Sequence, residues 1–279
     1  MMDLYLRRKL VNLINLSAAV ATTLVGLFFL AWLLWVLFAR GAALFDWNLL
    51  RLDTPGPGNE VGGLRNAIVG SLMLTGLGIL IAAPLGILAG TYLAEFGRYA
   101  RISHAIRFIN DVLLSAPSII IGVFVYEVMV VPMGHFSGWA GAASLAIIAI
   151  PVIVRTTEDM MHLVPDSMRE AAAALGAPQW RVITSVVLRA ALSGVMTGVL
   201  LAVARIAGET APLLFTALNN QFFTLDMNEP IGNLPVMIFN FAMGPYDNWH
   251  DLAWAGSLLI TLTVLLLNIL TRFFLRPRK

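Results

Sequence analysis

Two charged residues interrupt an apolar stretch of the sequence in which charges are costly. Arg205 and Glu209 stand four positions apart in the run 200–215, LLAVARIAGETAPLLF. A helix that begins near Arg189 rises about 24 Å before it reaches Arg205, at about 1.5 Å per residue, so the guanidinium should lie well inside a bilayer. A charge at that depth costs about 2.5–3.5 kcal/mol on insertion scales and should face a partner or a water-filled path. Glu209, one helical turn away, is expected to compensate Arg205.

Two functions are open for this charged pair. The forked donors of Arg205 suit a tetrahedral oxyanion, with Glu209 preventing the anion from binding too tightly to leave and Thr210 beside them. The alternative is a structural ion pair that locks this segment to a neighbouring helix. The residues alone leave both interpretations open.

A second cluster of informative residues predicts a short helix, a sharp corner and a second helix. Ser167 and Glu170 have capping-box spacing, and the following alanines are strong helix formers. Gly176 suits the left-handed residue that ends a helix, and Pro178 suits the first turn of the next. The small side chains, Ala171 and Ala172 among them, would let another protein approach the backbone closely. An ordinary capped helix at the membrane surface is the alternative.

Other candidates are secondary. Arg155, Glu158 and Asp159 end an apolar run, where they form either a solvated cluster or a gate, and Asp111 borders another run. Glycines at four-residue spacing indicate close helix packing, either within the chain or against a sister subunit. They are Gly86 with Gly90 and Gly194 with Gly198.

The elements that position these residues are membrane spans. The chain has 279 residues, of which 59% are hydrophobic and 12% charged, and its mean hydropathy is +0.83. Soluble domains are only about 45–50% apolar and about 25% charged. The sequence therefore predicts an all-α membrane protein in which the fourth span, containing Pro151, is short and either tilted or broken. The six predicted spans are 11–38, 66–94, 108–131, 138–154, 190–217 and 252–271.

Basic residues predict the orientation. Segments 1–10, 95–107, 155–189 and 272–279 hold fourteen of the eighteen Lys and Arg residues, so these segments and both termini should be cytoplasmic. The first span is too long for a signal peptide and is expected to be a retained anchor. The expected organisation is one permease domain over 1–279. Within it, 1–61 holds the first span and an outer loop, 62–275 the core, and 155–189 the cytoplasmic coupling region.

Composition excludes several classes of function. Cysteine is absent, and the four histidines are far apart, so no metal site is expected. The net charge of +2 is too small and too dispersed for nucleic-acid binding. The only lysines are Lys9 and Lys279, so no Gly-Lys-Ser/Thr phosphate loop exists. No catalytic motif and no cofactor are expected, and any ATP must be bound by another chain.

The run Glu170-Ala171-Ala172-x-x-x-Gly176 resembles the EAA loop of the permease subunits of bacterial ABC importers. Three further runs are similar to the PstA permeases of high-affinity phosphate importers, and the likeness covers nearly the whole chain. They are RFINDVLLSAPSI at 107–119, PVIVRTTED at 151–159 and ARIAGETAPLLF at 204–215. Residues 211–215 favour PstA over the sister permease PstC.

This resemblance implies a MetI-like type I importer fold and a multi-pass protein of the bacterial inner membrane. It implies four partners: the sister permease PstC, a PstB ATPase dimer, a periplasmic phosphate-binding protein and inorganic phosphate as substrate. It places the translocation arginine of the family at Arg205, and places coupling to the ATPase at Glu170–Gly176.

Three rival functions stay open at this stage. The chain could be an ABC permease for sulfate, molybdate or an amino acid. It could be a secondary transporter driven by an ion gradient, although the EAA-like run argues against this. It could also be a membrane scaffold that transports nothing.

Overall fold

The computed structural model describes residues 2–59, 61–97 and 100–274, and helices are the only regular structure within those ranges. Arg98, Arg276, Arg278 and Lys279, which contribute to the predicted orientation, lie outside them. The helices, together with a 3₁₀ turn at Ala42–Leu44, are α1 (Met2–Gly41), α2 (Trp47–Arg51), α3 (Arg65–Glu95), α4 (Arg101–Ser115), α5 (Ser118–Met133), α6 (Gly138–His162), α7 (Asp166–Ala174), α8 (Gln179–Ile206), α9 (Ala211–Thr216), α10 (Leu234–Ala242) and α11 (Asp247–Phe274).

The all-helical membrane fold is confirmed. Helices α1, α3, α6, α8 and α11 are each long and apolar enough to cross a membrane, and α4 with α5 adds a sixth crossing when this bent pair counts as one span. The side on which α4 begins and α7 lies is called the inner end, in keeping with the orientation that the basic residues predict. That orientation stays a prediction.

Helix α6 is the centre of the bundle, and here the expectation of a short or broken fourth span is wrong. The helix runs unbroken through Pro151 to His162, and 67% of its most apolar window is buried. Proline removes one backbone donor, but α3 and α8 enclose the helix from two sides and hold it straight enough to continue. Tertiary packing therefore overrides the local helix-breaking tendency.

Glycines explain how closely the neighbouring helices approach α6. A Cβ atom added to Gly86 would lie 2.7 Å from the Cβ of Ile153, and one added to Gly90 would lie 2.7 Å from the Cβ of Thr157. On a neighbouring face of α6, Gly194 and Gly198 of α8 lie against Met160 and Thr156. The predicted glycine packing is confirmed, and it operates within the chain.

The third span differs from its predicted form. Instead of one straight helix over 108–131, α4 and α5 meet at a bend of 106°. Ala116 has an extended backbone (φ −66°, ψ 133°), as expected of a residue that precedes proline. Only α5 therefore continues across the bundle, while α4 lies against the inner part of α6, with Asn110 donating a hydrogen bond to the Pro151 carbonyl (3.2 Å).

The fifth span also differs. It was predicted as one helix over 190–217, but α8 begins at Gln179, ends at Ile206 and is followed by a break and the short helix α9. Ile206 and Leu213, on either side of the break, belong to the same buried cluster as Ala82 of α3 and Ile148 of α6. Gly198 of α8 lies against Thr156, and Leu213 of α9 lies against Gly141, so the break between them is level with the middle of α6 and is at mid-depth in the bundle.

We expect Gly90→Ala to destabilise the bundle. Its new methyl group would meet the Val154 carbonyl at 2.7 Å as well as Thr157, and overpacking of this kind costs about 1–3 kcal/mol. Gly76→Ala in the same helix is the matched control, because a Cβ there has nothing within 4 Å. Thermal unfolding of the purified protein in detergent measures both. Equal midpoints for the two variants would contradict the packing described for α3 and α6.

Candidate translocation site

Arg205 occupies the last turn of α8, immediately before the mid-depth break. Its neighbours Ala202 and Ile206 are buried against the bundle, whereas Arg205 itself is exposed on the surface of this chain. Within the described ranges, no ion pair or hydrogen bond from the guanidinium to another side chain is present. A cation at this depth must be hydrated or meet a partner outside this chain, because bare exposure to lipid is costly.

The segment 207–210 leaves backbone groups without regular helical partners. Gly208 is exposed, and a Cβ there has nothing within 4 Å. Non-helical backbone at membrane depth is tolerated where it is buried in protein or lines a water-filled cavity. Since Gly208 is exposed, the break is expected to line a hydrated cavity in the assembled transporter.

Glu209 does not form the helical ion pair that its spacing predicts. Because α8 ends at Ile206, the chain has already turned when it reaches Glu209, whose backbone N–H bonds to the Ile206 carbonyl (3.2 Å). Glu209 and Thr210 are both partly exposed, and Thr210 accepts a bond from Leu214 N–H (3.2 Å) through its carbonyl. Glu209 and Thr210 thus lie in the break and Arg205 lies just before it, with its guanidinium N–H donors available to a ligand.

The second candidate site is the inner-end helix α7 and the corner after it. Gly176 has the predicted left-handed conformation (φ +78°), and α8 then runs without interruption into the fifth span. The predicted capping box is wrong: α7 begins at Asp166 with Pro165 before it, so Ser167 lies inside the first turn and makes no cap. Glu170, Ala171 and Gly176 are exposed, and Ala172 packs against the inner cluster of buried residues.

Large apolar side chains surround this corner. Leu175 is 89% exposed and Trp180 is 62% exposed, beside the open space at Gly176. Grouped apolar side chains rimmed by polar residues are typical of a protein interaction site. The arrangement suits a partner that covers α7 and the corner together.

Sequence reasoning missed the residue that anchors α7. Arg169 donates hydrogen bonds to Glu95 at the end of α3 (2.8 Å) and to the carbonyls of Met161 (2.9 Å) and Val164 (2.6 Å). It also pairs with Asp166 at 3.1 Å. The hydrogen bond with the Glu95 carboxylate is the largest cause that raises the pKa of Arg169. One guanidinium therefore joins α7 to α3 and to the end of α6.

No local signal could have found this contact. Glu95 and Arg169 are 74 positions apart, and neither belongs to a spacing motif. The available signs were a carboxylate as the last residue of an apolar span and an arginine beside the EAA-like run. Those signs identify two charges at one end of the bundle, and only the tertiary structure pairs them.

The secondary candidates divide into exposed and buried groups. Arg155 pairs with Asp159 at 3.3 Å with both side chains half exposed, which agrees with a solvated cluster. Glu158 is buried and binds Arg107 of α4 at 2.7 Å, so the solvated interpretation is wrong for this residue. Asp111 is exposed on α4 rather than at the start of a straight span. Hydrogen bonds and ion pairs link none of these residues to Arg205.

Comparison with known proteins places this arrangement among transport proteins. The family model described as "Binding-protein-dependent transport system inner membrane component" matches residues 82–276. The "Phosphate transport system permease protein PstA" of Haemophilus influenzae is 56% identical over 272 residues, covering 98% of this chain and 96% of that protein. The "Phosphate transport system permease protein PstA 1" of Mycobacterium tuberculosis is 34% identical, with coverage of 95% and 89%.

Solved structures support the fold alone. An inward-facing form of the MetNI methionine ABC transporter superposes with a TM-score of 0.61 at 20% identity, covering 82% of this chain and 95% of that chain. A chain of an amino acid ABC transporter gives a TM-score of 0.58 at 15% identity. These similarities confirm the predicted type I importer architecture and carry no argument about the substrate.

Hydration of the break can be tested with cysteine labelling, because the chain has no cysteine of its own. In the assembled transporter, a thiol placed by Gly208→Cys should react with a charged methanethiosulfonate about tenfold faster than one placed by Leu265→Cys, since the reactive thiolate forms only in water. Leu265 is 53% exposed on the apolar surface of α11 and serves as the control. Equally slow labelling at both positions would mean that no water reaches the break.

Proposed function

Because the chain belongs to the binding-protein-dependent transport permeases and, among them, to the PstA proteins, we propose that it is the transmembrane permease subunit of an ATP-driven importer of inorganic phosphate. It forms half of the translocation pathway. The observation that carries this proposal is the unpaired, exposed guanidinium of Arg205 at a mid-depth break in α8.

Arg205 suits a passing phosphate better than a permanently bound one. A guanidinium offers two parallel donors to a tetrahedral oxyanion and lowers the cost of placing that anion in the membrane. The Thr210 hydroxyl is a further donor at the same break. Glu209 places a negative charge beside the anion, which weakens binding enough for release. A transient site of this kind is what conduction requires.

The partners of the importer follow from what this chain lacks and what it exposes. It is expected to pair with the sister permease PstC, whose surface would close the pathway opposite Arg205, in the bacterial cytoplasmic (inner) membrane. Both permeases would rest on a PstB ATPase dimer, because the only lysines here are terminal and cannot build a nucleotide loop. ATP hydrolysis belongs to PstB, and this chain is the non-catalytic subunit.

Phosphate would reach the outer end from a periplasmic binding protein. The outer segment 218–251 carries four acidic residues and no Lys or Arg of its own, and Arg65, which stacks on Phe223, is already paired with Asp53. Delivery by a docked protein avoids this electrostatic barrier. The acidic residues are Asp226, Glu229, Asp247 and Asp251.

Transport would proceed by alternating access. Closure of the ATPase dimer moves the exposed surface of Glu170–Gly176, and the pathway opens outward to accept phosphate. Hydrolysis of ATP resets the pathway inward. Because α8 connects the Gly176 corner directly to Arg205, movement at the corner reaches the break through a single helix.

Phosphate uptake by the complete complex in liposomes tests this function. Labelled phosphate should enter only with ATP and the loaded binding protein, and equimolar sulfate should not compete. Arg205→Gln should reduce uptake by at least about tenfold, because hydrogen bonds to a charged group contribute about 1.5–3 kcal/mol. Arg189→Gln, which removes an exposed arginine nearer the start of the same helix, should transport normally.

Two results would contradict the proposal. Normal uptake by Arg205→Gln would mean that the arginine only packs against a neighbour. ATP-dependent transport of sulfate in place of phosphate would assign the complex a different substrate.

Glu170→Lys should uncouple ATP hydrolysis from transport while the membrane fold is retained. The exposed carboxylate faces the surface that the ATPase is expected to cover, so reversing its charge weakens docking. Ser167→Lys also introduces a lysine on α7 but lies outside the Glu170–Gly176 surface and removes no carboxylate, so it is the control. Uptake and ATPase activity are measured on the same preparations. If both variants moved as much phosphate per ATP hydrolysed as the wild type, Glu170 would have no role in coupling.

A further inference from the structure

We infer that Arg169 is a positioning residue that transmits movement of α7 to the paired helices α3 and α6. This inference rests on the proposed coupling function and adds to it the contact through which the movement leaves α7. It is carried by a single guanidinium that bonds simultaneously to the Glu95 carboxylate and to the carbonyls of Met161 and Val164.

Helix α7 has two kinds of attachment to the rest of the chain. Ala172 and Ala177 make apolar contact with the inner cluster, which includes Val182 and Ile183 at the start of α8. Apolar contact has little directional preference, so it permits sliding. The Arg169 guanidinium is planar and binds with fixed geometry, so it determines how α7 is oriented against its neighbours. Displacement of α7 is therefore passed on by Arg169.

Burial distinguishes this contact from an ordinary surface ion pair. The side chains of Arg169 and Glu95 are 15% and 9% exposed, whereas that of Asp166, on the other side of Arg169, is 59% exposed. Exposed pairs contribute little because water and salt screen them, while removing one member of a buried pair leaves an uncompensated charge. Glu95 is thus the partner that matters, and Asp166 is expected to be dispensable.

The receiving elements can move as one body. Glycine contacts bring α3 close to α6, and the Arg169 bonds hold the ends of both helices at the same point. Arg205 lies on α8, which contacts both α3 and α6. A rotation of α7 about its corner is consequently passed to the α3–α6 pair, and α8, which packs on both of these helices, carries the movement to Arg205.

The test compares Arg169→Gln and Glu95→Gln with the control Asp166→Asn in the complete complex. Phosphate uptake and ATP hydrolysis are measured in parallel, and assembly is measured by the amount of ATPase that co-purifies. Arg169→Gln and Glu95→Gln, the two variants of the Arg169–Glu95 clamp, should assemble normally and hydrolyse ATP. The amount of phosphate moved per ATP should fall about tenfold in both. Asp166→Asn should keep the wild-type ratio.

A cross-link separates transmission from local folding. Arg169→Cys with Glu95→Cys should be uncoupled until a bifunctional thiol reagent of matching length joins the two positions, and the joined complex should regain most of its phosphate per ATP. The wild-type complex treated with the same reagent controls for reaction at other subunits, since this chain has no cysteine.

Three outcomes would overturn the inference. One is an unchanged ratio in both clamp variants, and another is loss of the co-purifying ATPase, which would make Arg169 part of the docking surface instead. The third is continued uncoupling after the cross-link has formed. If the wild-type complex moved no phosphate at all, that result would count against the proposed function and not against the clamp. The effect of the clamp variants on substrate-stimulated ATP hydrolysis would then be the measurement that tests the clamp.

Discussion

In the middle of a membrane, a charged side chain and the unpaired backbone N–H and C=O groups of an irregular segment both need polar partners. This requirement governs the structure. Arg205 and the segment 207–210 meet that requirement only when they face water or a second subunit. Exposure of Arg205 in the isolated chain is therefore a sign of incompleteness. In the proposed function, this chain supplies one wall of the pathway and a second permease supplies the opposite wall.

The packing around α6 compensates for the energetic cost of this break. Ile206 and Leu213 are held in the central cluster on either side of the break, so the backbone between them can depart from helical geometry without loosening the bundle. Close approach at the glycines of α3 and α8 provides the van der Waals contact that replaces the hydrophobic driving force absent in lipid. The irregular segment 207–210 thus depends on the close packing around α6.

Composition and spacing predicted the fold class, the left-handed Gly176 and the glycine contacts, because each depends on local sequence. The six predicted crossings equal the upper of the two counts that the helices allow. They failed where distant packing decides the outcome. Pro151 does not break α6, because neighbouring helices support it. Arg205 and Glu209 were treated as one helical turn apart, although the helix ends between them. Glu158 was assigned to a cluster that was either solvated or a gate, but it is buried and bonded to Arg107, 51 residues earlier.

Helix α8 connects the two sites. It begins beside the Gly176 corner and ends beside Arg205, and its first part, Val182–Val187, is a π-helical segment. Such segments are rare and are frequent at functional sites. Here the segment lies between the exposed corner and the firmly packed Gly194 and Gly198. Movement of the corner that travels along α8 must therefore pass through Val182–Val187, while movement of α7 is proposed to leave through Arg169, so the inner surface has two connections to the helices around the break.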